Sequence, residues 1–544
     1  MAWGDIDGDG DDDLWLGGPR TKTGQLPRND GEGKFTQLNF SAGEVDQHSE
    51  DMGGLWLDVD SDGDLDLYVV SGGVECDRNT KVLKDRIYLN DGQGQFTKAS
   101  DDVLPDNFDS GSSVVAADYD HDGDLDLFVG GRIIPGKYPL TPNSRLLQND
   151  AGKFTDVTQS VGGLKDAGLV TGAVWSDVDN DGWIDLLLAQ EWGPIKYFRN
   201  EEGQLNDQTS TAGLAKVLGW WNGITAIDVD NDGDMDYAVT NFGLNTKYHA
   251  SAERPTLLYY GDFESDGEPN IIEAEFEDET LFPVRGLSCS SRAMPHLAKK
   301  FDTYTSFALA DLNEIYEPKC LSESKRCEAN TLESGVFINE GGKFTFKPFP
   351  RLAQVAPGFG IVAGDFDGDS NADLYFVQNF YGPQAETGRM AGGVSALLKG
   401  NGDGTFAAVP PRESGLYVSG DAKSLATVDL NGDGQLDLVA GVNDDSLVAF
   451  EQSCRVQKSL SIQLRGKDGN TCAAGARINI KFDDGTRRSI EVASGSGYLS
   501  QSASLINIGL PSGIKVVDLE LQWPDGTSKK LNTVDADKTV EIQQ

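Results

Sequence analysis

The sequence predicts an all-β protein: a calcium-binding β-propeller followed by a small C-terminal β domain. Three observations predict it. An acidic nonapeptide of the general form Asp-x-Asp/Asn-x-Asp-Gly-x-x-Asp recurs seven times, starting at Asp5, Asp58, Asp118, Asp177, Asp228, Asp365 and Asp429. Short apolar runs flank the copies, and a second hairpin pattern follows several of them. The first five copies start 53, 60, 59 and 51 residues apart, a period suited to four-stranded propeller units.

The nonapeptide comes first because its chemistry is the most constrained. Carboxylates at positions 1, 3, 5 and 9 repel one another unless a cation lies between them. Hard oxygen donors, with glycine at position 6 permitting a sharp turn, suit Ca²⁺. The expected ligands, with position 7 binding through its carbonyl, are Asp5, Asp7, Asp9, Asp11 and Asp13; Asp58, Asp60, Asp62, Asp64 and Asp66; Asp118, Asp120, Asp122, Asp124 and Asp126; Asp177, Asp179, Asp181, Trp183 and Asp185; Asp228, Asp230, Asp232, Asp234 and Asp236; Asp365, Asp367, Asp369, Asn371 and Asp373; and Asp429, Asn431, Asp433, Gln435 and Asp437. About seven Ca²⁺ per chain are expected. The loop is not an EF-hand, which ends on Glu at position 12 between helices.

The flanks read as strands. Gly54-Leu55-Trp56-Leu57 and Val114-Val115-Ala116-Ala117 precede their loops, and Leu67-Tyr68-Val69-Val70 and Leu127-Phe128-Val129 follow them. Such short β-branched and aromatic runs, bounded by turn residues, are strand signals. The second hairpin runs Arg86–Thr97 and recurs at Arg145–Thr155 and Gly335–Thr345, each with an Asn/Asp/Gly turn. Two hairpins make four strands per unit.

The number of units turns on one long gap. Asp228 and Asp365 are 137 positions apart, too many for one unit. Ser306–Asn313 looks like a loop that has lost its acids, and Gly335–Thr345 would complete its unit. This favours eight blades. If 250–350 is an insertion, the count is seven. Asp262, Glu264, Asp266, Glu268 and Asn270 form a further loop-like run, read as part of the outer hairpin of the fifth blade and a weak metal site.

After the repeats, residues 454–544 show alternating strands at Ser459–Leu464, Ala476–Phe482, Ser489–Val492 and Leu519–Trp523, with a turn at Pro524-Asp525-Gly526. The domains are therefore placed at 1–453 and 454–544, docked across a short linker. The chain opens on Met1-Ala2-Trp3 directly before the first loop, and the last unit shows Ser446–Phe450 as a third strand. An upstream segment with an export signal and a closing strand is expected.

The nonapeptides resemble the FG-GAP/VCBS repeats of integrin α-chain propellers and their bacterial relatives. Gly475-Ala476-Arg477, Ser494–Ser502 and Leu521–Gly526 resemble the ASPIC/UnbV domain. The combination is similar to the cartilage acidic protein family and its bacterial homologues, and covers nearly the whole chain. The resemblance implies a secreted calcium-binding propeller.

Composition narrows the partners. The net charge is −43, and seven divalent ions would offset only about a third of it. Nucleic acid and membrane insertion are excluded as partners. An extracellular protein or glycan ligand is expected, and self-association is allowed. Six cysteines without paired Cys-x-x-Cys spacing exclude zinc and redox motifs and suggest disulfides. Cys320–Cys327 and Cys454–Cys472 are the nearest pairs, leaving Cys76 and Cys289; fifteen arrangements exist.

No nucleophile elbow, His-Glu-x-x-His or phosphate loop is present. Trp220 and Trp221 could stack on sugar, but packing between blades is the expected use. His121 is read as solvent-facing. The favoured function is a non-enzymatic, calcium-stabilised extracellular recognition or adhesion protein. The alternatives are a polysaccharide-acting enzyme with its site at the propeller pore, and a structural subunit of a surface filament or layer.

Overall fold

The computed structural model describes residues 1–383, 387–453, 458–510, 513–531 and 539–544. It is an all-β molecule in which the acidic loops join the first two strands of successive antiparallel sheets. In the second unit, Glu50–Leu57 pairs with Asp66–Gly72, then Arg86–Leu89 and Thr97–Lys98. The third and fourth units repeat this order, beginning at Ser110–Ala117 and Leu169–Ser176. The sixth begins at Gly358–Gly364. The seventh has three strands, Ala422–Val428, Asp437–Val442 and Val448–Phe450. In the first unit two hairpins, Ala2–Gly4 with Asp13–Trp15 and Leu26–Asn29 with Phe35–Leu38, join through a bridge between Leu16 and Gln25.

The fifth unit corrects the eight-blade reading. Ile224–Ile227 and Asp236–Val239 pair directly with Gly335–Asn339 and Phe344–Pro348, Tyr237 lying opposite Phe337. The hairpin at 335–345 therefore completes the fifth unit. Residues between the halves form a separate sheet of Thr256–Gly261, Asn270–Glu277, Thr280–Pro283 and Lys325–Ala329, plus short helices. Ser306–Asn313 falls across two of these, Tyr304–Ala308 and Leu312–Ile315. Thr303 and Asp311 cap them by accepting from the backbone N–H groups of Ser306 and Glu314, so these residues suit helix starts and not a metal hairpin. The run Asp262–Asn270 lies in this inserted sheet, not in the fifth unit's outer hairpin.

The first strands of the units touch in succession, and Ala2–Gly4 touches both Glu50–Leu57 and Ala422–Val428. Apolar layers lie between neighbouring units. Trp175, Leu186 and Phe198 of the fourth pack on Val115, Phe128 and Leu146 of the third. Met1, Trp3 and Leu14 of the first pack on Ala426, Val428 and Val439 of the seventh. Trp221 is fully buried against Phe337 and Phe346. Trp220 packs edge-on to Trp192 and Tyr248. Both tryptophans serve packing, as expected.

The C-terminal region contributes two further sheets. One orders Ile506–Leu510, Lys458–Arg465 and Thr539–Gln543; the other orders Arg487–Glu491, Arg477–Phe482, Val516–Gln522 and Ser528–Lys530. Their apolar faces close on Leu460, Ile478, Ile508, Leu519 and Trp523.

Cys76, Cys320, Cys327 and Cys472 are unbridged. The expected Cys320–Cys327 bridge is not made: Cys320 packs among the inserted helices, while Cys327 lies on a strand against the Trp192–Trp220 layer. With Cys76 unbridged, the Cys76–Cys289 pairing is not made either. Cys454 lies outside the described residues. No helix among the described residues is long and apolar enough to cross a membrane.

Candidate metal loops and the capped channel

Five loops gather three of their acids. Carboxylate oxygens of Asp58, Asp60 and Asp62, of Asp118, Asp120 and Asp122, of Asp177, Asp179 and Asp181, and of Asp228, Asp230 and Asp232 lie within 4.8 Å of one another. In the first loop the group is Asp5, Asp7 and Asp13. Backbone N–H groups turn the loop around position 1: Asp58 accepts from Asp62 and Gly63 at 3.1 Å. Position 6 requires positive φ, which Gly63 (+93°) and Gly123 (+103°) adopt without strain. The sixth copy departs from the frame, since Ser370 takes this place at φ +70°. His121 is exposed, as expected, and stacks on Trp183 of the next loop at 3.8 Å between ring centroids.

Position 9 has a use that the acid spacing alone does not reveal. One oxygen of Asp126 accepts from Tyr119 N–H at 3.4 Å and the other from Asn149 N–H at 2.8 Å. The same pair of bonds is made by Asp13, Asp66, Asp185, Asp236, Asp373 and Asp437. Position 9 thus fastens the loop to the third strand of its own unit. The asparagine at that point then reaches the neighbouring loop. Asn90, Asn149, Asn200 and Asn339 donate to the carbonyls of Ile6, Val59, Tyr119 and Val178, and Asn29 to Leu430 of the seventh unit at 3.4 Å. The signal for it is the recurrent Asn of the second hairpin, a residue that spacing alone assigns to the turn.

Burial raises the acids. Asp66 and Asp373 are pushed up to about 7, Asp236 to about 8 and Asp126 to about 9, burial being the largest cause and neighbouring carboxylates adding to it. Asp118 is likewise raised to about 7. Buried oxygens of Asp7, Asp120, Asp179, Asp228 and Asp230 have no hydrogen-bond partner. An unpartnered buried carboxylate oxygen is costly. A hard dication at the centre of each cluster would satisfy these oxygens, so the residues fit a metal such as Ca²⁺.

The C-terminal region sits on these loops. Gly469 N–H donates to Asp58 at 2.8 Å, Ser489 N–H to Asp228 at 3.0 Å and Gly509 N–H to Asp365 at 2.8 Å. Arg465 pairs with Asp5 at 3.5 Å and Arg488 with Asp365 at 3.7 Å. Glu491, buried and raised to about 7 by that burial, accepts from Ser176 Oγ and Asp177 N–H, while Arg477 compensates it. From here residues 494–503 enter the centre of the ring of first strands. Ala116 N–H donates to Ser494, Ile224 exchanges backbone bonds with Gly497, and Leu425 and Thr427 N–H donate to Ser500 and Ser502 Oγ. The segment singled out by resemblance, Ser494–Ser502, is therefore a plug.

Asp262 accepts from Gly267 and Asp266 N–H as position 1 does elsewhere, but it stands exposed in the inserted sheet.

These features define a class: acidic-loop repeats of four-stranded type, capped by a β region that plugs their centre. An FG-GAP-like repeat family matches residues 58–129, 177–239 and 388–440, and the ASPIC and UnbV family matches 466–544. The chain carries FG-GAP-like repeats and ends in an ASPIC and UnbV domain.

Among characterised proteins it resembles cartilage acidic protein 1. It is 21% identical to that of Mus musculus over 510 residues, covering 82% of this chain and 76% of the mouse protein. Identity to the Homo sapiens protein is 27% over 508 residues, covering 82% and 75%. Solved structures similar in part include the V. cholerae biofilm matrix protein Bap1 (11% identity, 80% of this chain and 61% of that one, TM-score 0.25). Rhamnogalacturonan lyase YesW is another (13%, 82% and 75%, TM-score 0.28). At such scores nothing is carried over from them.

Proposed function

We propose that this chain is a secreted, calcium-stabilised recognition protein without catalytic activity. Its two domains, 1–453 and 454–544, form a closed seven-bladed propeller and a docked cap. One observation carries the calcium reading: an unpartnered buried carboxylate oxygen recurs at position 3 of the first, third, fourth and fifth loops. Each ion would be held by side chains at positions 1, 3, 5 and 9 and the carbonyl at position 7. The ion would neutralise acids that otherwise repel, so calcium acts as a structural cofactor.

Occupation of the ring centre by 494–503 supports recognition over catalysis at the pore, because a substrate would have to displace hydrogen-bonded backbone there. The proposed partner is an extracellular protein or glycan. The test is a screen of the calcium-loaded chain against immobilised glycans and matrix proteins. Saturable, chelator-sensitive binding without turnover is expected. Cleavage of a polysaccharide by the purified chain would overturn the reading.

A further inference from the structure

On the third strand of each unit, one residue stands immediately before the residue whose N–H fastens position 9. In chain order these are Arg28, Leu89, Gln148, Arg199, Ile338, Lys399 and Glu451. Four of them reach position 3 of the adjacent loop. Arg28 Nη1 lies 3.5 Å from Asp7 Oδ2. Arg199 Nε lies 2.6 Å from Asp179 Oδ2, with Nη2 2.9 Å from Asp181. Lys399 Nζ pairs with Asp367 Oδ2 and lies 2.8 Å from Asp369. Gln148 Nε2 donates to Asp120 Oδ2 at 2.5 Å. Leu89 and Ile338 instead join the apolar layers. In the seventh unit the polarity reverses: position 3 is Asn431, and its Nδ2 donates to Glu451 Oε1 at 3.0 Å.

The bonded oxygen is always Oδ2. The other oxygen, Oδ1, is the buried unpartnered one in Asp7, Asp120 and Asp179. The strand residue therefore grips position 3 from outside and leaves its inner oxygen for the ion. It also places a charge of +1, 0 or −1 next to the metal. Arg28, Arg199 and Lys399 are about one-third exposed, so water screens the repulsion without abolishing it.

We propose that this residue sets the calcium affinity of its loop and grades the seven sites. The inference rests on the calcium reading above. The first, fourth and sixth loops, facing Arg28, Arg199 and Lys399, bind calcium most weakly. The second, third and fifth, facing Leu89, Gln148 and Ile338, bind it most tightly. In the seventh, Glu451 restores the negative charge that Asn431 lacks. A fixed positive charge a few ångströms from a dication, in a partly wet site, weakens binding by about tenfold. The same cation balances the acids when calcium is scarce, so these loops lose least on chelation.

The test is calcium titration of the full chain by calorimetry, with ions counted by native mass spectrometry. Arg199→Gln gives the fourth loop the arrangement of the third, and Gln148→Arg does the reverse. The wild-type chain should fill in at least two phases. Arg199→Gln should move one ion from the weaker to the tighter class, about tenfold, and Gln148→Arg one ion the other way. Calcium uptake with wild-type constants in both variants overturns this proposal alone. A wild-type chain that takes up no calcium overturns the calcium reading and this proposal with it.

Discussion

The side-chain amide of Gln501 holds Trp56 on both sides of its peptide: Oε1 accepts from Trp56 N–H at 2.7 Å, and Nε2 donates to Trp56 C=O at 3.0 Å. A side chain 445 residues away thus imitates a strand partner at the inner edge of the second unit. Both residues are buried. Gln501→Ala leaves a buried N–H and C=O without partners, a loss of about 1–3 kcal/mol for each unsatisfied group. A lower thermal midpoint and faster proteolysis of the C-terminal region are expected. An unchanged midpoint would show that the plug does not contribute to stability.

Calcium should be a large part of the stability. A ligand that binds only the folded state adds about 2.7 kcal/mol per site at 100 times its Kd. Several such sites rival the whole stability of an ordinary domain, about 5–15 kcal/mol. Chelation should therefore lower the midpoint steeply, and Asp122→Ala, which removes a position 5 ligand, should reproduce a fraction of the effect. Thermal melts with and without chelator decide it, and a shift of only a degree or two would count against a structural ion.

The acids also fix a pH dependence, whose sign follows from their direction. Asp66, Asp126, Asp236 and Glu491 all titrate higher in the folded chain than ordinary carboxylates. The metal-free folded state therefore binds more protons than the unfolded one between about pH 4 and 9. The stability these groups contribute is fully present below the ordinary carboxylate range and is lost as pH rises through 7 to 9. In chelator, the midpoint should climb as pH falls from 9 to 5. Calcium replaces the protons on the loop aspartates, so its binding at pH 7 should release them, measurable as buffer-dependent heats. A midpoint in chelator that falls on acidification would contradict the assignment.

Much of this was legible because the repeats fix it. Acid spacing located all seven loops, and strand patterning located the flanks, four of the seven described C-terminal strands and the turn at Pro524-Asp525-Gly526. The count of units was not legible locally: Gly335–Asn339 pairs with Asp236–Val239 across an inserted sheet, and hydrophobic pattern carries no record of long-range pairing. Nor was the split of labour among the acids, because Asp126 and Asp118 are the same residue type and differ only in which N–H groups reach them. The plug was invisible for a related reason. Ser494–Ser502 is small and polar, reads as a loop, and becomes an interior segment only because unpaired inner strands meet it.

The asparagine ties between units yield the last prediction. Asn200 is fully buried, and its Nδ2 donates to Tyr119 C=O of the preceding loop at 2.7 Å and to Ile184 C=O of its own at 3.0 Å. Its Oδ1 accepts from Gly203 N–H at 2.9 Å, shaping the hairpin turn. Asn200→Asp keeps the acceptor but sets a carboxylate against two carbonyls, so it should cost more than Asn200→Ala, which only leaves them unpaired. Truncation is expected to cost about 1–3 kcal/mol. Because Tyr119 is position 2 of the third loop, the damage should spread to a neighbouring site: Asn200→Ala should lower calcium occupancy of the third loop as well as the fourth. Ion counting by native mass spectrometry at limiting calcium measures this directly. Loss confined to the fourth loop would mean that the units bind metal independently, and that the asparagine serves packing alone.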